Sequence, residues 1–299
     1  MSENNDLNLS TVRRVTSAAA TDIRLLVLDL DGTIVDESNH IAHSAIQAIH
    51  SAQGRGVAVA LATGRMFRSS LDVCESVHAT LPLICHEGAL IRQPQTELVH
   101  RHWSLEPRLT SAVLDETEQL SRSGRLSVHF YVQDDLYVSN LNDVSSRFLE
   151  GSTVVPIVVS DLRAMASMAI TKAIVLSDDA QAMARVYSRL KNSSGRIRLK
   201  QYKSMPFLEV FHPAVNKRLA VSYLAEELLS LRPENVMAIG DDVSDIEMLE
   251  YAGLGVAMGN APAAVKACAD WVTATIEKDG VAKAVEKWVL DDQRSLRRT

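Results

Sequence analysis

From Leu25 onward, short and wholly apolar runs alternate with stretches whose apolar residues recur every three or four positions. "LLVL" at 25–28 and "VAVAL" at 57–61 read as buried strands, and the second closes in Ala62-Thr63-Gly64-Arg65. Between them, "IAHSAIQAIHSA" sets Ile41, Ala45, Ile49 and Ala52 on one helical face, and the Gly54-Arg55-Gly56 stretch stops the helix. "MFRSSLDVCESVH" reads as a helix and "PLIC" at 82–85 as a third strand. Such a βαβαβ succession predicts a parallel sheet with helices on both faces.

After about residue 89 the rhythm changes. "LSVHFYVQDDLYVSN" holds two strand-like runs around a turn at Asp134-Asp135. Helical patterns at 105–122 and 178–191 stand beside the strand-like "AITKAIVL", "RIRLKQ" and "FLEVF", which predicts an α+β insertion with a partly antiparallel sheet. The α/β rhythm then returns with a helix at 216–229, a strand at 236–240, a helix at 245–251, the strand "GVAM" and a last helix near 281–289.

The strand ends carry the chemistry. The first finishes in Asp29-Leu30-Asp31-Gly32-Thr33, the second in Thr63-Gly64-Arg65, and a later one in Gly240-Asp241-Asp242-Val243-Ser244-Asp245. Ligands of an open parallel sheet bind outside the carboxyl ends of its strands. Carboxylates gathered there repel one another unless a cation sits among them, and an all-oxygen donor set favours a hard divalent ion, magnesium first. Asp29 and Asp31, two residues apart, share a side if strand geometry persists. One could then attack phosphorus while the other handles a proton. Gly32 permits a sharp turn with free backbone N–H groups.

"DLDGTIVD", "LATGR", Lys217 in "PAVNKRLAV" and "GDDVSDIEML" together resemble the four signatures of the haloacid dehalogenase-like (HAD) hydrolases. "PLICHEGALI", "GVAMGNA" and "DGVAKAV" resemble the Cof-type phosphatase subgroup, which carries a large α+β cap between the second and third signatures. The resemblance covers residues 22 to about 288. It implies an α/β fold: a Rossmann-like, open, mainly parallel core over 22–88 and 204–290, an inserted α+β cap over 89–203, and tails at 1–21 and 291–299. It also implies a nucleophile at Asp29, forming an aspartyl-phosphate, and an acid/base at Asp31. Thr63 and Lys217 would hold the phosphoryl group and neutralise its charge. Asp29, the backbone carbonyl of Asp31, Asp241 and Asp245 would hold Mg2+, while Gly32, Gly64, Arg65 and Asn260 complete the phosphate-binding set. Three departures stand out, and at one of them Arg218 takes the place of the glycine that usually follows the third-signature lysine. Ser244 replaces the usual asparagine of the fourth signature, and Glu87 replaces the asparagine of the usual Asn-Gly-Ala, setting a negative charge where an anionic substrate arrives.

Composition narrows the partners. A net charge of −6 gives no broad attraction for nucleic acid or acidic membrane. No apolar run approaches the roughly 20 residues of a membrane span. Three scattered cysteines, Cys74, Cys85 and Cys268, fit reduced thiols in the cytoplasm better than a disulfide framework. The first 21 residues lack a signal-peptide core, and Asn192-Ser193-Ser194 reads as a chance glycosylation match. His100 and His102 read as solvent-facing, and Cys85 as a buried thiol. Of the same-side pairs His129/Tyr131 and Arg196/Arg198, core or surface use is expected. The expected activity is magnesium-dependent hydrolysis of a small phosphorylated metabolite, a sugar phosphate or a phosphorylated cofactor. A phosphosugar mutase and a non-catalytic regulator that binds a phosphorylated ligand are the rivals. Oligomeric state stays open.

Overall fold

A computed structural model of the chain describes residues 22–150, 152, 154–193, 195–202 and 205–291. The N-terminal tail, the C-terminal tail beyond residue 291 and the last residue of the Asn-Ser-Ser tripeptide lie outside the described residues. The chain runs β1 (Leu25–Leu28), α1 (His43–Gly54), β2 (Ala58–Leu61), α2 (Leu71–Ser76), β3 (Leu83–Cys85), β4 (Leu90–Arg92) and β5 (Val99–His102). It continues through α3 (Pro107–Arg122), β6 (Leu126–Val132), β7 (Asp135–Val138), α4 (Asp143–Leu149), β8 (Ile157–Val158), β9 (Lys172–Ser177) and α5 (Ala180–Leu190). Strands β10 (Arg196–Tyr202) and β11 (Met205–Phe211) follow, then α6 (Lys217–Ser222) and β12 (Val236–Gly240). Last come α7 (Ile246–Tyr251), β13 (Leu254–Ala257), α8 (Ala263–Cys268), β14 (Trp271–Val272) and α9 (Gly280–Val285).

Over the described residues the chain divides into two compact units, one of 22–63, 72–82 and 220–291, the other of 64–71 and 83–219. The first unit holds a five-stranded, all-parallel sheet in the order β14-β13-β12-β1-β2. The four residues of β1 are fully buried, as a strand covered on both faces requires. Each such side chain contributes roughly 1.5–3 kcal/mol of transfer free energy. Helix α1 buries Ala45, Ala48, Ile49 and Ala52, close to the face its periodicity predicts, and Gly56 beyond it has φ +83°.

The second unit is α+β. Its six-stranded sheet runs β10-β11-β9-β6-β7-β8, antiparallel except between β7 and β8. Leu109 and Val113 of α3 and Met183 and Val186 of α5 pack with Val128, Phe130, Val175 and Leu208 in one core. A second cluster gathers Tyr131, Ile174, Leu176 and Phe207, with Phe148 of α4 against it. Asn142 caps α4 by accepting from Ser145 N (2.9 Å), and Asp179 caps α5 by accepting from Ala182 N (2.8 Å).

Several expectations are corrected here. "PLIC" does form a strand, but β3 pairs antiparallel with β4 in a separate sheet, β3-β4-β5, instead of joining the parallel one. Its three apolar residues carry no directional information, since a short buried run suits either pairing. The hairpin tip falls at Gln133-Asp134, because Gln133 takes φ +54° and Asp135 already pairs with Val132. The helix expected at 216–229 is six α-helical residues followed by a wider, π-helical turn at Tyr223–Leu228. Residues 64–71, 83–88 and 205–219 group with the insertion, not with the parallel sheet.

Candidate active site

The order of the parallel sheet defines where a ligand can sit. From β1 the chain steps one way to β2, and later the other way from β12 through β13 to β14, so β1 and β12 flank the switch point. The crevice of an open α/β sheet lies outside the carboxyl ends of these two strands. Leu28 is in register with Ile239, and Asp29 N donates to Ile239 O at 3.0 Å. Asp29 and Asp241 therefore leave adjacent strands at the same level.

Carboxylate oxygens of Asp29, Asp241 and Asp245 lie within 4.8 Å of one another. Asp29 is 5% exposed and Asp245 fully buried. The surrounding chain is shaped to hold them. One Asp245 oxygen accepts from the backbone N–H groups of Asp241 (2.9 Å) and Asp242 (3.0 Å), which folds the loop back on itself. Gly240 makes room for that carboxyl group, since a Cβ there would stand 2.6 Å from Asp245 Cγ. Asp241 accepts from Thr33 Oγ1 at 3.1 Å and from Asn260 Nδ2 at 3.3 Å. Asn260 Nδ2 also donates to Gly32 O at 2.8 Å, tying the loop after β13 to the turn after β1. Three clustered carboxylates with hard oxygen donors fit a divalent cation, and one oxygen of Asp245 is already committed to backbone.

Strand geometry does not persist through the Asp-Leu-Asp stretch. Strand β1 stops at Leu28, and Leu30 O accepts from the N–H groups of Thr33, Ile34 and Val35 at 2.9–3.1 Å, so the chain turns at once. The same-side argument for Asp29 and Asp31 consequently fails, and the two carboxylates differ in environment instead. Asp29 is buried, whereas Asp31 is exposed and lines a cleft of about 500 Å³ with Gly32, Asp36, Asp241 and Asn260. Gly32 is required twice over: its φ is +81°, and a Cβ would stand 2.2 Å from Asp241 Oδ2. Ser244, in the place of an asparagine, donates to Asp242 Oδ2 at 2.9 Å.

Thr63 is fully buried two residues beyond β2, in the first unit. Gly64, Arg65, Glu87 and Lys217 belong to the second unit. There Lys217 is 2% exposed. Between β3 and β4, His86 and Glu87 both take left-handed backbone angles, φ +49° and +61°. His86 N donates to Arg65 O at 3.0 Å, and His86 Nε2 donates to Gln133 O at 3.1 Å. Glu87 is 2% exposed, and its oxygens lie 3.0 Å from Arg198 Nη1 and 3.2 Å from Lys200 Nζ. Burial works against the charge, but Lys217, Lys200 and Arg198 hold the carboxyl well below the usual carboxylate range. The negative charge expected to oppose an anionic substrate is thus compensated inside its own unit. Lys200 was not singled out by the sequence reading, nor was Thr33 as a partner of Asp241. The signal for Lys200 is the alternation Arg196, Arg198, Lys200 along one strand face.

The histidines of β5 do not face solvent as expected: His100 and His102 are half-buried and Val99 and Arg101 are the exposed positions of the strand. The other signals set aside in the sequence behave as structural groups. His129 is buried and shares a hydrogen bond with Ser145 Oγ (2.9 Å), His102 Nε2 lies 3.0 Å from Thr171 Oγ1, and Cys85 is buried. Among the described residues, no helix is long and apolar enough to cross a membrane.

A parallel-sheet switch point with clustered carboxylates, in a chain interrupted by an α+β insertion, is the arrangement of an α/β protein whose acidic site fits a divalent cation. The model of the haloacid dehalogenase-like hydrolase family matches residues 26–285, and the chain belongs to this family. The 5-amino-6-(5-phospho-D-ribitylamino)uracil phosphatase of Bacillus subtilis (strain 168) is 28% identical over 272 residues, 88% of this chain and 97% of the relative. The HMP-PP phosphatase of Cronobacter sakazakii is 27% identical over 238 residues, 80% of this chain and 85% of the relative. Among solved structures, a phosphatase of the haloalkanoate (HAD) superfamily from Bacteroides thetaiotaomicron superposes with a TM-score of 0.74 at 26% identity, covering 90% of this chain and 96% of that one. These findings bear out the Cof-type phosphatase assignment drawn from the sequence.

Proposed function

We propose that the chain is a magnesium-dependent phosphatase of small phosphorylated metabolites that works through an aspartyl-phosphate on Asp29. The observation that carries the reading is the convergence of Asp29, Asp241 and Asp245 at the switch point of the parallel sheet. Bound there, the cation would screen the carboxylates and the incoming phosphate from one another. Asp29, Asp241, Asp245 and the backbone carbonyl of Asp31 would hold it.

Asp29 attacks phosphorus and displaces the alcohol, forming the aspartyl-phosphate. Asp31, exposed on the cleft, gives a proton to the leaving oxygen and then takes one from the attacking water. Water hydrolyses the acyl phosphate, releasing inorganic phosphate and restoring Asp29. In this reading Thr63 and Lys217 hold the phosphoryl oxygens, with Gly32, Gly64, Arg65 and Asn260 around them. The second unit acts as the cap that selects the leaving group. Substrate class is supported by the relatives, whose names specify a phosphoribitylaminouracil and HMP-PP. A cytoplasmic setting is supported by Cys74, Cys85 and Cys268 standing as thiols.

The test is phosphate release from a panel of phosphorylated metabolites, with magnesium and with excess chelator, beside Asp29→Asn. Magnesium-dependent release that the substitution abolishes is expected. Isomer formation without release would instead mark a mutase, and ligand binding without turnover a regulator.

A further inference from the structure

The second unit carries a cavity of about 470 Å³ that the proposed reaction does not use. On one side stand Leu114, Thr117, Glu118, Ser121 and Arg122, whose spacing of three and four residues puts them on one face of α3. Val128 of β6, Ser139 just past β7 and the turn at 160–163 close the other side. The volume falls in the range of small-molecule sites, roughly 300–1,000 Å³. Every lining residue belongs to the second unit.

Its floor is aliphatic. Leu114, Val128 and Leu162 are buried members of the unit's core, and among the described residues no aromatic side chain lines the cavity. A nucleobase would find no ring to stack on, whereas the C–H face of a saturated ring can lie on aliphatic side chains. The charges in the lining cancel, two arginines against two carboxylates. Arg122 Nη2 lies 2.6 Å from Glu118 Oε1, and Arg163 Nη2 lies 2.8 Å from Asp115 Oδ1 and 3.5 Å from Glu118 Oε2. Asp161 Oδ1 accepts from Arg163 N at 2.8 Å. No net charge is left to draw in an ion. Thr117 Oγ1 donates to Val113 O at 2.7 Å. The hydroxyls of Ser121, Ser139 and Ser160 have no hydrogen-bond partner among the described residues. Each can donate once and accept twice.

We propose that this cavity is a binding site for a small uncharged sugar or polyol. The ligand lays its C–H face on Leu114, Val128 and Leu162 and sets its hydroxyls against Ser121, Ser139 and Ser160, in place of water. None of these residues belongs to the acidic cluster, and binding here does not depend on the phosphatase reading.

The experiment is calorimetric titration of the full chain with five probes: glucose, ribose, sucrose, gluconate and adenosine. At least one of the three neutral sugars is expected to bind once per chain with a Kd of about 1 mM or below. Gluconate, with its carboxylate, and adenosine, with its aromatic base, are expected to bind more weakly than that sugar. Ser139→Ala should raise the Kd of the sugar by about 2- to 12-fold, the loss of one hydrogen bond. Ser121→Phe, which fills the cavity from α3, should abolish binding. Melting curves report whether each variant is folded, and Ser160→Ala repeats the test at an exposed position. Failure of all three sugars to bind saturably overturns the site. So does binding that the folded Ser121→Phe and Ser139→Ala variants leave unchanged, which would put the sugar elsewhere on the chain. Gluconate or adenosine binding more tightly than every sugar overturns the ligand class. No turnover is read, so these results stand even if the phosphatase reading fails.

Discussion

At residue scale, the acidic site depends on atoms that have little room to move. Adding a methyl at position 32 would place a Cβ 2.2 Å from Asp241 Oδ2 and force a side chain into φ +81°. Gly32→Ala should therefore displace Asp241 and destabilise the protein by about 1–2 kcal/mol. Thermal melting and metal titration of the purified variant check this, and a variant with unchanged metal affinity would show that Asp241 tolerates the shift. Asp29→Asn keeps size and polarity but removes the nucleophile, so turnover should fall by at least about a thousand-fold. Residual activity near wild type in a pure sample would contradict a covalent step.

At the scale of elements, the second unit invests in buried polar groups between strands. Lys172 on β9 and Glu209 on β11 are 8% and 6% exposed. Lys172→Met leaves a carboxylate buried without its nearest cation and should cost about 3–5 kcal/mol, whereas Lys172→Met with Glu209→Leu should recover most of that. Denaturant midpoints of the single and double variants settle it, and equal losses would show that packing, not charge, holds the pair. The imidazoles give this unit a pH dependence. Burial lowers His129 from 6.5 to about 4. Burial, with the Lys172 ammonium nearby, holds His86 well below its ordinary value. Both groups bind more protons unfolded than folded in that window, so stability is present in full above pH 6.5 and is lost as pH falls toward 4. His129 alone accounts for about 2 kcal/mol by pH 5. His129→Gln should flatten the melting temperature between pH 7 and pH 5, and an unchanged slope would remove His129 as the cause.

For the whole molecule, the parallel sheet supplies an acidic cluster that fits a cation and forms only when β1 and β12 lie side by side. A ligand that binds the folded chain alone stabilises it by about 2.7 kcal/mol at a hundred times its Kd. Magnesium should raise the melting temperature, and chelator or Asp241→Asn should cancel the rise. A melt insensitive to magnesium in the wild type would count against a cation at this site.

The sequence by itself determined the parallel core, the α+β insertion and the identity of the acidic residues. Period-two and period-3.6 patterning is local, and it locates the strand ends at which Asp29, Asp31, Thr63 and Asp241 stand. Lys217, at the start of α6, enters the reading only through the family resemblance. Only the tertiary structure decided the pairing of β3, because a three-residue apolar run has no direction written in it. It also decided the fate of Glu87, whose charge in the sequence looks unopposed. Its partners Arg198 and Lys200 are more than 100 residues away, brought to it by pairings between strands distant in the chain. Contacts of that kind depend on how sheets are assembled, and local spacing does not encode them.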